Sequence, residues 1–135
     1  MHSSPRRAAG LVAAAIGLVL ALSACVIEIP GTGSILEPNQ PPVLPRLARQ
    51  TIDAGANFVL QFEVVDENPA GVVVTATSSN TALFANDRIA ITASGAMRTL
   101  VAVPSAGMSG DTFITVTARD EGGLTDEMVF SLTVR

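Results

Sequence analysis

Two groups of side chains in this 135-residue sequence carry reactive chemistry. One is a single thiol, Cys25, which follows Leu22-Ser23-Ala24. The other is a set of adjacent carboxylates: Asp66-Glu67, Asp120-Glu121 and Asp126-Glu127. Nucleophilic catalysis by Ser, Cys or Thr ordinarily needs a His or Lys base. Beyond residue 24 the chain has no His, Lys, Tyr or Trp. Zinc centres lean on Cys and His and are excluded on the same ground. Paired-carboxylate glycoside chemistry is what remains. It needs a sugar cleft, usually with aromatic walls, and five Phe are the only aromatic residues. The sequence reads as non-enzymatic, and glycan binding is the least favoured binding reading.

The thiol has a different use. Arg6 and Arg7 precede an uncharged apolar run from Ala8 to about Leu22. That run falls short of the roughly 20 apolar residues that span a bilayer, which disfavours an uncleaved anchor helix. It has the layout of a secretion signal, and Leu22-Ser23-Ala24-Cys25 resembles a bacterial lipobox. The resemblance implies cleavage after residue 24 and lipid on Cys25. Several acyl chains together hold firmly where one holds marginally. The chain is expected to be exported and lipid-anchored to the cell envelope. Val26, rather than Asp, follows the cysteine; in a Gram-negative cell that implies the outer membrane.

Without residues 1–24, six Arg face twelve Asp and Glu, a formal charge of −6. An acidic surface disfavours nucleic acid and favours cations or basic partners. A lone cysteine leaves no internal disulfide, so an apolar core must hold the fold. Residues 25–45 contain Pro30, Pro38, Pro41, Pro42 and Pro45 with Gly31 and Gly33. This composition is expected to form a flexible linker with a reach of at most roughly 65 Å.

From residue 46 to residue 135 the pattern has period two, the mark of half-buried strands. Phe58, Leu60, Phe62 and Val64 alternate with Val59, Gln61, Glu63 and Val65. Val72, Val74 and Ala76, then Ile114, Val116 and Ala118, then Met128, Phe130, Leu132 and Val134 repeat it. Shorter strands are expected at 47–52, 89–93 and 97–103. Turn residues separate them, among them Asp53-Ala54-Gly55, Asn68-Pro69-Ala70-Gly71 and Glu121-Gly122-Gly123. Ser79 to Leu83 has room for one helical turn. Seven short strands with regular turns predict an all-β, seven-stranded immunoglobulin-like Greek-key sandwich, preceded by the signal peptide and the Pro/Gly-rich linker.

The stretch from Asn39 to Arg135 also resembles the bacterial immunoglobulin-like, cadherin-like repeats. The likeness rests on Asn39-Gln40-Pro41-Pro42-Val43, Gln50-Thr51, Thr75 to Leu83, Arg98-Thr99-Leu100, Pro104, Gly110 and Ile114 to Asp120. Those repeats occur in tandem arrays, whereas this chain holds one copy. A docking or accessory role fits a single copy better than a stalk.

Seven strands of alternating direction place the turns after the second, fourth and sixth strands at the pole where the linker arrives. That gathers Asp66, Glu67, Asp120, Glu121, Asp126 and Glu127, with Arg119 as the nearby base. Calcium takes several oxygen ligands, and cadherin-like repeats hold it at this pole. The resemblance therefore implies a weak structural calcium site on Asp66, Glu67 and Asp120, assisted by Glu121 or Asp126, with Asn39 lending a carbonyl. Solvated acidic loops are the plainer reading of the same residues. The leading functional expectation is a protein-interaction module that docks another envelope or surface protein. An outward sheet face or a free edge strand would carry the contact, with Val59, Val65, Val73, Val101 and Val129 as outward apolar candidates. A calcium-stiffened adhesive or envelope-structural module is the alternative.

Overall fold

The computed structural model describes residues 37–135. Among the described residues seven strands form: β1 (Gln50–Ile52), β2 (Phe58–Glu63), β3 (Val73–Ser78), β4 (Ile89–Ser94), β5 (Met97–Ala102), β6 (Gly110–Arg119) and β7 (Thr125–Val134). The period-two segments become strands because burying alternate side chains leaves the others in water. In β2, Phe58 and Phe62 are buried while Val59, Gln61 and Glu63 are exposed. In β7, Met128, Phe130, Leu132 and Val134 are all buried.

The strands make two sheets, ordered β1-β7-β6-β3 and β2-β5-β4. All pairings are antiparallel except β1 with β7, which run parallel in the register Gln50–Leu132 to Ile52–Val134. First and seventh strands share a direction when directions alternate, so their meeting as neighbours makes a parallel pair. Between the sheets lie Phe58, Phe62, Leu100, Ile114, Val116, Phe130 and Leu132, all buried. The rings of Phe58 and Phe130 join the two sheets with centroids 5.6 Å apart. The turn expected near residues 79–83 is present: the N–H groups of Leu83 and Phe84 both bond the carbonyl of Asn80. It drives Leu83 and Phe84 fully into the core.

One boundary moves. The linker was expected to reach residue 45, but the compact unit begins at Pro38. Pro42 is fully buried and Leu44 is 2% exposed. Val43 and Val65 form an antiparallel bridge. Proline-rich composition describes an extended chain, and extended chain also packs well against a sheet edge. Cys25, the signal segment 1–24 and the linker up to residue 36 lie outside the described residues.

Candidate functional site

The loops that follow β2, β4 and β6 meet at one pole, where the incoming segment 38–46 arrives. Strand direction brings them together, as the alternation requires. Three of the six carboxylates there grip the incoming segment. Asp120 Oδ2 accepts a hydrogen bond from Asn39 Nδ2 at 2.7 Å. Glu67 Oε1 accepts from the Gln40 N–H at 2.9 Å. Asp126 Oδ2 accepts from the Leu44 N–H at 2.8 Å. Arg46 Nη1 donates to the Glu127 carbonyl at 3.0 Å. Proline cannot donate, so a proline-rich segment has few N–H groups, and carboxylates take up those of Gln40 and Leu44.

Asp120 is the best held. Its Oδ1 accepts from the Leu124 N–H at 2.8 Å, closing the β6–β7 turn. Its residue is 7% exposed. Burial pushes its carboxyl up, but the Asn39 amide and the N–H groups of Leu124, Gly123 and Gly122 outweigh it. Together they hold Asp120 below the usual carboxylate range. Gly122 makes room for Asn39, since a β-carbon there would sit 2.5 Å from Asn39 Nδ2. A β-carbon on Gly71 would meet the carboxylate of Glu121. Asp66 Oδ1 accepts from the Asn68 N–H at 2.8 Å. Its Oδ2 is buried with no hydrogen-bond partner.

The five carboxylates singled out for calcium thus share a pole but not a point. Among the described residues no three acidic, His or Cys side chains group closely enough to hold a metal ion. Asn39 contributes its side-chain amide nitrogen to Asp120, an N–H donor where calcium would want an oxygen.

The pole also holds a cation that the sequence reading passed over. Arg98 is 2% exposed. Its Nη1 donates to the Gly95 carbonyl at 2.7 Å and the Met97 carbonyl at 3.2 Å. Its Nη2 donates to the carbonyls of Pro69 at 2.7 Å and Val72 at 2.8 Å. The guanidinium fork fits several acceptors at once. One side chain therefore ties the β2–β3 loop to the β4–β5 turn. The signal was present: Arg98 shares the inward parity of Leu100 and Ala102 in β5.

The opposite pole shows ordinary turn contacts, including an exposed Arg135–Asp53 pair at 3.6 Å. The outward valines are divided. Val59 pairs with Val101 on the three-stranded sheet, and Val101 is half-buried. Val65 stands at the Val43 bridge, and Val73 and Val129 lie on the four-stranded sheet. The most exposed aromatic is one the alternation reading left out. Phe113 is 57% exposed in the central strand β6, and Val129 is 52% exposed in β7. Phe113 opposes Ser131 and Val129 opposes Thr115, which makes Phe113 and Val129 diagonal neighbours within reach of each other.

No protein-family model and no curated protein matches the chain. Solved immunoglobulin domains do. One chain of a mutant titin M10–obscurin-like 1 Ig complex is 23% identical, with a TM-score of 0.53 over 72% of this chain and 95% of that one. A second structure of that complex gives 25% identity and 0.52 over 70% and 94%. A titin domain solved at atomic resolution gives 15% identity and 0.56 over 76% and 99%. The chain is therefore an immunoglobulin-like β-sandwich.

Proposed function

We propose that this protein is a non-enzymatic lipoprotein, exported and tethered through lipid on Cys25, whose immunoglobulin-like domain docks another protein of the cell envelope. In a Gram-negative cell the tether places it at the outer membrane. The observation that carries the docking reading is Phe113, a large apolar side chain more than half exposed on the middle of a sheet face, with Val129 beside it. Exposed apolar clusters of this kind mark interaction surfaces. The neighbour solved as part of a titin–obscurin-like 1 Ig complex supports a protein as the partner. The test is a photo-reactive side chain at position 131, directly opposite Phe113, in the full chain in its own cells. One dominant cross-linked protein, lost with Phe113→Asp, is the expected result. Diffuse labelling that Phe113→Asp does not change would overturn it. Cys25→Ser is expected to abolish both acyl labelling of the protein and its cleavage after residue 24.

A calcium-stiffened envelope module is the second reading, and Asp66 Oδ2 is the observation in its favour. Melting the full chain in chelator and in millimolar calcium separates the two. A rise reversed by chelator and not copied by magnesium means binding to the folded state and favours the second; superimposable curves favour the first.

A further inference from the structure

The three-stranded sheet ends on β2, and the side of β2 away from β5 is open. In an antiparallel ladder, alternate residues turn both backbone groups to the same side. Val65 fixes the parity. It exchanges two backbone hydrogen bonds with Val43, at 2.8 and 3.1 Å, on the outer side. Val64, of the other parity, donates to the Ala96 carbonyl at 2.9 Å on the inner side. Glu63, Gln61 and Val59 therefore aim their N–H and C=O groups outward. Among the described residues no strand pairs with them there.

The cause is one residue. Continuing the Val43–Val65 bridge antiparallel would set Pro45 opposite Glu63, then Leu47 opposite Gln61 and Arg49 opposite Val59. Pro45 has no N–H to give the Glu63 carbonyl. The ladder stops at its first step, and the chain crosses to pair with β7 as β1. The departure leaves an apolar groove of about 380 Å³ beside the open edge, lined by Leu44, Leu47, Leu60, Phe62 and Met128. Glu63 is the one charged residue lining it. Free edges are normally guarded by charged side chains, Pro or a bulge. Phe-Val-Leu-Gln-Phe-Glu in β2 carries one charge, Glu63 at its end, and no Lys or Pro.

We propose that β2 is a strand acceptor. Its occupant is an extended segment of a partner protein, apolar at alternate positions and basic beside Glu63. Backbone bonds to Val59, Gln61 and Glu63 would supply affinity, and the groove would select the inward side chains. Charge favours a foreign strand over a second copy, because β2 contains no base to meet the Glu63 of its twin. The inference rests on the docking reading and gives it a second address, separate from Phe113.

Amide exchange on the full chain carrying Cys25→Ser tests it. In the free protein the amides of Val59, Gln61 and Glu63 are expected to exchange at least roughly tenfold faster than those of Leu60 and Phe62. The probe is the synthetic peptide Thr-Val-Lys-Val-Thr-Val-Thr. Near nine-tenths occupancy it is expected to slow the three outward amides about tenfold. Gln61→Pro removes one outward donor and spares the β5 ladder, a substitution that edge strands tolerate. It is expected to fold and to lose the peptide.

Outward amides already as slow as their neighbours would overturn the proposal. So would a peptide that leaves them unprotected, or one that Gln61→Pro still binds. Protection that depends on protein concentration, with a dimer in sedimentation, would assign the edge to a second copy and also overturn it. If these tests fail while Phe113→Asp still abolishes cross-linking, the docking reading stands without the edge. If the edge takes the peptide while Phe113→Asp changes nothing, the sheet face is the part that fails.

Discussion

Arg98 offers the sharpest test of what holds this sandwich closed. Replacing it with Met keeps most of the side-chain volume and removes the guanidinium. The carbonyls of Val72 and Gly95, now bonded at 2.8 and 2.7 Å, would lose their donor, and that of Pro69 would keep only the Val72 N–H at 3.3 Å. An acceptor left buried without a partner costs about 1–3 kcal/mol. Returning the guanidinium to water in the unfolded reference offsets part of that, because burying a charge is itself expensive. Two acceptors left bare and one weakened, less this offset, give a net loss of about 3 kcal/mol, a large share of the roughly 5–15 kcal/mol available to a domain. At roughly 4–8 °C per kcal/mol for a domain of this size, the melting temperature should fall by about 12–24 °C. Arg98→Lys keeps a charge but cannot span the same acceptors with a fork, so it should fall between Arg98→Met and the parent. The assay is thermal and urea unfolding of the full chain by circular dichroism. An Arg98→Met protein within about 1 kcal/mol of the parent would refute the reasoning. It would mean that water satisfies the three carbonyls or that the loops relax to do without the cation.

The remaining expectations are briefer. Leu44→Ala should cost roughly 2–5 kcal/mol, as for a core leucine, whereas a linker residue would cost nothing measurable; urea unfolding decides. Asp120 has a depressed folded pKa, so its contribution is complete above the ordinary value of 3.8 and fades as pH falls through the lower folded value. Asp120→Asn should flatten that acid limb in urea midpoints measured from neutral pH downward, and an unchanged limb would dissociate Asp120 from it. Gly123→Ala should lose about 1–2 kcal/mol in thermal unfolding, because Gly123 holds φ +93° in the β6–β7 turn.

The sequence by itself determined the features that depend on neighbours along the chain. Alternation in β2, β3, β6 and β7 needs only a side-chain period of two, so strand positions were legible within a few residues. Glycine, asparagine and proline marked the turns for reasons of backbone freedom. Alternating strand direction was enough to collect the loops after β2, β4 and β6 at one pole. The same parity placed Arg98 inward, but its carbonyl partners come from a loop and a turn that sequence does not align.

Tertiary structure alone decided how the pole is used. Asn39 and Asp120 are 81 residues apart, as are Arg46 and Glu127. A carboxylate in sequence looks equally ready for a cation, for water or for a backbone N–H. Which it takes depends on the approach of a distant segment. The same holds for residues 38–45, where composition announced extended chain but not whether anything would cover it. Pro45 shows the two levels meeting. Its missing N–H is written in the sequence. Only the Val43–Val65 bridge shows that the missing donor falls opposite Glu63 and leaves the edge of β2 open.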